Sequence, residues 1–119
     1  MELTQEQRIR KEKTRLSKFY KELPPEKKGV CAGLIERAAF MRIQLEILEE
    51  NLNEKGWTEW FKQGDAPAYE RARPAGQLYN TLNANYQKII KQLDAMLPEI
   101  VEAPEEDPFD EFVSERDDK

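Results

Sequence analysis

The sequence predicts an all-α protein: a long antiparallel helical hairpin, preceded by a basic N-terminal helix and followed by a disordered acidic C-terminal tail. Two segments, from Pro25 to about Asn53 and from Arg73 to Leu97, repeat apolar residues at helical spacing. The Pro24–Pro25 pair and a stretch punctuated by Gly56, Gly64, Pro67 and Pro74 separate the periodic segments. Charge is segregated as well. Residues up to Lys28 hold nine basic and five acidic side chains, Gly29 to Leu97 eight and nine, and Pro98 to Lys119 two and ten. The expected divisions are therefore 1–24, a basic helix or arm; 25–97, the hairpin core with an aromatic loop at 54–73; and 98–119, the tail.

The first helix is expected to begin near Thr4, where "TQEQ" fits a capping box, and to end before Pro24. Its apolar residues, Ile9, Leu16, Phe19, Tyr20 and Leu23, gather toward its C-terminal half. Its first half carries Arg8, Arg10, Lys11, Lys13 and Arg15 with little apolar surface, so it is expected to be exposed and frayed. Those five cations are the candidate DNA contacts.

The second helix has Pro25 in its first turn and Gly56 just past its end. Cys31, Leu34, Ala38, Met41, Leu45, Leu48 and Leu52 alternate spacings of three and four, which is a coiled-coil seam. Phe40, Ile43 and Ile47 form a second apolar strip on the opposite side. A strip left in water forfeits roughly 1.5 to 3 kcal/mol per large side chain. One cover is the third helix. The other is the first helix or another subunit, and Phe40, Ile43 and Ile47 are the candidate oligomer contacts.

Trp57, Trp60 and Phe61 cluster at one end of the 54–73 loop. They are expected to plug the open end of the hairpin as a lid, with a base-stacking platform as the alternative. In the third helix, Ala75, Leu78, Tyr79, Leu82, Tyr86, Ile89, Ile90, Leu93, Met96 and Leu97 fall within an arc of about 120°. Asn83 and Asn85 lie on its margins and Asn80 behind it. Asparagine is a weak helix former. These three are either solvated or hydrogen-bonding groups of a helix-to-helix interface.

From Pro98 the composition is that of a disordered acidic segment, with Phe109, Phe112 and Val113 able to form a short amphipathic turn on a partner. The absence of histidine and the single cysteine, Cys31, exclude a zinc site, a disulfide framework and a histidine-based triad. There is no Gly-rich phosphate loop. No catalytic residue, metal or cofactor is expected. Without an apolar leader or span, the chain is expected to be soluble and intracellular, with no membrane contact.

The segments "GLIERAAFMRIQLEILEENLNEKG" and "RPAGQLYNTLNANYQKIIKQLDAMLPE" resemble small proteins of phages and prophages of Gram-positive bacteria that are similar to the small subunit of phage terminase. The similarity covers about two thirds of the chain. It implies a non-enzymatic DNA-packaging adaptor in the host bacterial cytoplasm. Such a protein forms a homo-oligomer, often a ring, binds viral double-stranded DNA and regulates the large terminase subunit. The oligomer contacts would then include Asn80, Asn83 and Asn85, and the tail has two acceptors: the large subunit, docked by Phe109, Phe112 and Val113, or the basic arm of the same oligomer, which it would shield from non-specific DNA. The chain departs from the family at its first helix. The helix that starts at Pro25 is too long and too apolar for a recognition helix, so phosphate contacts are expected rather than base reading. The alternative is an acidic helical module that regulates a protein partner without touching DNA, a reading that the overall net charge of -5 favours.

Overall fold

A computed structural model describes residues 2–97. They form three helices and a small two-stranded sheet: α1 (Gln5–Ser17), α2 (Pro25–Lys55), β1 (Thr58–Phe61), β2 (Tyr69–Ala72) and α3 (Pro74–Met96). The tail, with Phe109, Phe112 and Val113, lies outside the described residues.

Thr4 starts α1 as its spacing to Gln7 requires. Its Oγ1 accepts from the Gln7 N–H at 3.1 Å, and its own N–H donates to Gln7 Oε1 at 2.9 Å. The helix tightens to a 3-10 turn at Lys18–Tyr20, earlier than the sequence suggests. The tightening carries Leu23 inward, where it is buried with Leu16, Cys31, Ile35, Ala38 and Leu93. Pro24 and Pro25 then open α2, whose last turn ends at Gly56. There φ is +85°, and the Gly56 N–H still reaches the Leu52 carbonyl at 2.8 Å.

The α1 helix is neither frayed nor free. It lies along α2 in the opposite direction, with Arg8 bonded to Glu46 at 2.7 Å and Lys13 to Glu36 at 2.9 Å. Ile9 is half-buried and Leu16 buried beneath it. The expectation of a frayed arm fails because the apolar partner of α1 sits on another helix, although most of its first half, Arg10, Lys11, Lys13 and Arg15 included, is exposed. That partner is the row Ile35, Ala39 and Ile43, each no more than 4% exposed. Ile43 is therefore not an open oligomer contact, since α1 covers it within the chain. Phe40 remains 45% exposed and Ile47 half-buried.

The other face of α2 meets α3. Tyr79 donates from its hydroxyl to Glu49 at 2.8 Å near one end, and Leu93 joins Cys31 and Ala38 in the buried cluster toward the other. The two helices thus run in opposite directions. Within the expected α3 stripe, Leu93 is fully buried and most neighbours are half-buried, but Leu78 is 61% exposed. Asn80 and Asn85 are exposed and Asn83 is half-buried.

Where the sequence predicts a loop, the segment 54–73 holds a β-hairpin instead. Thr58, Glu59, Trp60 and Phe61 pair with Ala72, Arg71, Glu70 and Tyr69. Of the three aromatic residues expected to form a lid, Trp57 alone packs on the ends of the long helices; no strand residue is buried, and Trp60 is 72% exposed. Alternation puts Glu59, Phe61, Tyr69 and Arg71 on one face. Arg71 bonds Glu59 at 2.8 Å and lies 3.5 Å over the Phe61 ring, while Phe61 meets Tyr69 edge to face. The ladder is thus held by its own cross-strand pairs rather than by the core.

Arg73 anchors the hairpin base. Its guanidinium donates to the Gly56 carbonyl at 2.6 Å and to Asn51 Oδ1 at 2.7 Å, which ties the end of α2 to the start of α3. Trp57 packs edge to face on Tyr79 and over Gly76, where an added Cβ would stand 2.9 Å from Trp57 Cε3. Gly76→Ala should therefore push the half-exposed indole outward. The lost aromatic contact, about 0.5 to 1.5 kcal/mol, opposes a gain in helix propensity of about 0.8 to 1 kcal/mol. Stability should hardly change. Tryptophan emission, read in a Trp60→Phe background, should shift to longer wavelength. An unshifted spectrum would mean that Trp57 does not rest on Gly76.

Among the described residues, no helix is long and apolar enough to cross a membrane.

Candidate nucleic-acid interface

Docking sorts the cations of α1 by face. Ile9 and Leu16 fix the inward side, so residues about half a turn away point outward at roughly 100° per residue. Arg8 and Lys13 flank the inward side and are committed to Glu46 and Glu36. Arg15 is held by Glu12, with Nε at 2.7 Å and a second nitrogen at 2.8 Å from the two carboxylate oxygens. Three of the five sequence-predicted DNA contacts are thus drawn into ion pairs, and only Arg10 and Lys11 of that set are left open.

The outward side gains members that sequence reasoning did not select. Arg10, Thr14, Ser17 and Lys21 succeed one another at helical spacing, with Lys11 and Lys18 beside them, and all are exposed. Arg10, Lys13, Thr14, Ser17, Lys18 and Lys21 line one shallow depression. Lys21 and Lys28 share the next, so the positive strip continues onto the first turns of α2. No carboxylate among the described residues pairs with Arg10, Lys11, Lys18 or Lys21. Part of the signal is present in the spacing: at roughly 100° per residue positions 11 and 18 lie opposite Ile9 and Leu16, and positions 10 and 14 lie beside them. An arm taken as exposed all round has no outward face to select, and that obscures it.

Glu12, the acid nearest the middle of α1, is turned inward, with its side chain 10% exposed. The hydrogen bond from Arg15 lowers its pKa below the ordinary 4.5; burial opposes this, and the charges of Arg15 and Arg42 reinforce it. Glu36 is lowered by its bond from Lys13. A carboxylate depressed in the folded state stabilises it above the unfolded pKa, and that contribution is lost as pH falls through the folded value. The parts of this contribution that cross to α2, Arg42 on Glu12 and Lys13 on Glu36, should therefore weaken below about pH 4.5, while the Glu12–Arg15 pair acts within α1. Methyl resonances of Leu16 would report the weakening. Glu12→Gln should blunt the response, and an unchanged acid profile in that variant would exclude Glu12 as its source.

Elsewhere the described residues offer little reactive chemistry. Cys31 is buried, and that burial pushes its thiol pKa up, away from the reactive range. No group of three or more potential metal ligands lies together among the described residues. The geometry at α1 is suited to an extended polyanion. Arg10 to Lys21 spans about 16 Å at 1.5 Å per residue, with flexible cations that can each meet a phosphate. The antiparallel arrangement of α1 on α2 also differs from a helix-turn-helix, whose helices cross at about 90–120°.

No family model matches this chain, and comparison with curated proteins and with solved structures finds no match.

Proposed function

We propose that this protein is a non-enzymatic, oligomeric DNA-binding adaptor of the terminase small-subunit type, which binds viral double-stranded DNA and regulates a large terminase subunit. The observation that carries the DNA part is the outward face of α1 and of the turn that follows it, where Arg10, Lys11, Lys18 and Lys21 are exposed and the one central acid, Glu12, is turned inward. A row of cations on a docked helix, none paired with a carboxylate among the described residues, binds phosphates and releases their counterions without reading bases. This explains how a chain with a net charge of -5 can still present a binding surface to DNA.

Oligomerisation multiplies the effect. One α1 face meets few phosphates, and several faces held together convert weak contacts into avidity. Phe40 and Ile47, with Gln44 between them, fall on one side of α2 and retain apolar surface for a second copy. Asn80, Asn83 and Asn85 of α3 would supply polar contacts between neighbouring copies. Phe109, Phe112 and Val113 remain the proposed contacts with the large subunit.

The test is duplex binding by the full chain, measured by fluorescence anisotropy across a salt series. Affinity should fall steeply as salt rises, with little dependence on DNA sequence. Absence of binding at about 50 mM salt, where counterion release is most favourable, would remove DNA from this reading and leave the protein-directed acidic module. A large terminase subunit whose ATPase is unaffected by the chain would remove the motor-regulating role.

A further inference from the structure

We propose that residues 98–119 of the same chain occupy the cationic outward face of α1 when no nucleic acid is bound. The inference uses the face on which the DNA reading rests, but it does not need DNA to be true. The tail holds ten acidic and two basic residues, opposite in sign to that face.

The point of departure favours the contact. Leu93 lies in the buried cluster with Leu16 and Leu23, and Met96 packs against it. The chain therefore leaves α3 at the end of the bundle where Lys18, Lys21 and Lys28 stand. Leu97 to Phe109 is twelve residues, a reach of up to about 40 Å. The face from Lys21 back to Arg10 is only about 16 Å long. A tether of this length holds the acidic segment at an effective concentration on the order of millimolar.

Charge alone does not require phenylalanines, but the surface of α1 supplies apolar partners. Phe19, just past the end of α1, is 59% exposed, and Leu3, just before its start, is 48% exposed. Leu3 and Phe19 stand at opposite ends of the helix, so Phe109 and Phe112, three residues apart, can rest on Phe19, beside Lys18 and Lys21, while the neighbouring acids meet the lysines. Phosphates would then have to displace the tail. The effect is to reject non-specific, low-density polyanions and to admit a long duplex engaged by several copies at once.

The test uses the full chain with Cys31→Ala and Ser114→Cys, spin-labelled at position 114. At low salt, amide resonances from Arg10 to Lys21 should broaden, and the broadening should vanish near 0.5 M salt, where screening shortens to a few ångströms. It should also vanish when Glu105, Glu106, Asp107, Asp110 and Glu111 are replaced by their amides. Unbroadened α1 amides at low salt would overturn the proposal. So would broadening that arises only between a labelled chain and a separate isotope-enriched one, because the tail would then lie on a neighbouring copy. The same five substitutions, without a label, should tighten duplex binding about three- to tenfold at 50 mM salt and less at higher salt. Broadening together with no duplex binding by any variant sustains the tail contact and overturns the DNA reading. Duplex binding without broadening does the reverse.

Discussion

Replacing Arg10, Lys11, Lys18 and Lys21 together by Gln is expected to weaken duplex binding on the order of 100-fold at low salt. It should also flatten the salt dependence. Each phosphate contact contributes about 0.9 to the slope of log affinity against log salt, so four lost contacts remove between 3 and 4. Glutamine keeps the stem length and most of the helix propensity of the residues it replaces. None of the four is committed to a carboxylate among the described residues, so α1 should stay docked and thermal stability should move little. The contrasting variant is Arg8 and Lys13 to Gln. It removes the part-buried ion pair to Glu46, worth about 0.2 to 1 kcal/mol, and the exposed one to Glu36. That variant should loosen α1 on α2 with only a minor change in salt slope. If the second variant loses DNA binding and the first does not, the contact surface lies on the flanks of α1. If neither loses it, the hairpin aromatics Trp60 and Tyr69 become the next surface to test.

How far these features are legible in the sequence depends on whether their cause is local. The capping box at Thr4, the stop at Gly56 and the proline at the start of α2 are set by residues three or four positions apart, and each stands where its spacing requires. The β-hairpin is not legible, because four-residue strands are too short for alternation to stand out. Its stability comes from pairs twelve residues apart, such as Glu59 with Arg71. The docking of α1 is hidden for a related reason. Ile9 and Leu16 are a sparse apolar stripe by themselves, but the row Ile35, Ala39 and Ile43 completes them from another helix. Charge pairing across that joint, Arg8 with Glu46, then decides which cations face outward. Sequence alone identifies the helix that carries the candidate site. The face requires the partner.

Ile43 and Phe40 make the sharpest test of that packing, because the sequence groups them and the structure separates them. Ile43 is 4% exposed beneath the first turns of α1, whereas Phe40 is 45% exposed on the side of α2 that α1 leaves open. Ile43→Glu forfeits roughly 2 to 3 kcal/mol of apolar burial and places a carboxylate in a joint already holding Glu46 and Glu12. The nearby Arg8 and Arg15 are taken by those two acids. The total cost should be about 3 to 5 kcal/mol. It should lower the melting temperature by about 10 to 20 °C or more and release α1, visible as lost helical circular dichroism and rapid amide exchange from Gln5 to Ser17. Phe40→Glu buries nothing new within the chain, so helicity should be retained. If copies associate through Phe40 and Ile47, that variant should instead shift the wild-type oligomer to monomers in sedimentation. It should also abolish any rise of melting temperature with protein concentration, since association stabilises the folded form by mass action. The two phenotypes should not mix. An Ile43→Glu chain that keeps its helicity and stability but falls apart into monomers would mean that α1 is not the cover of Ile43, and that a second copy is.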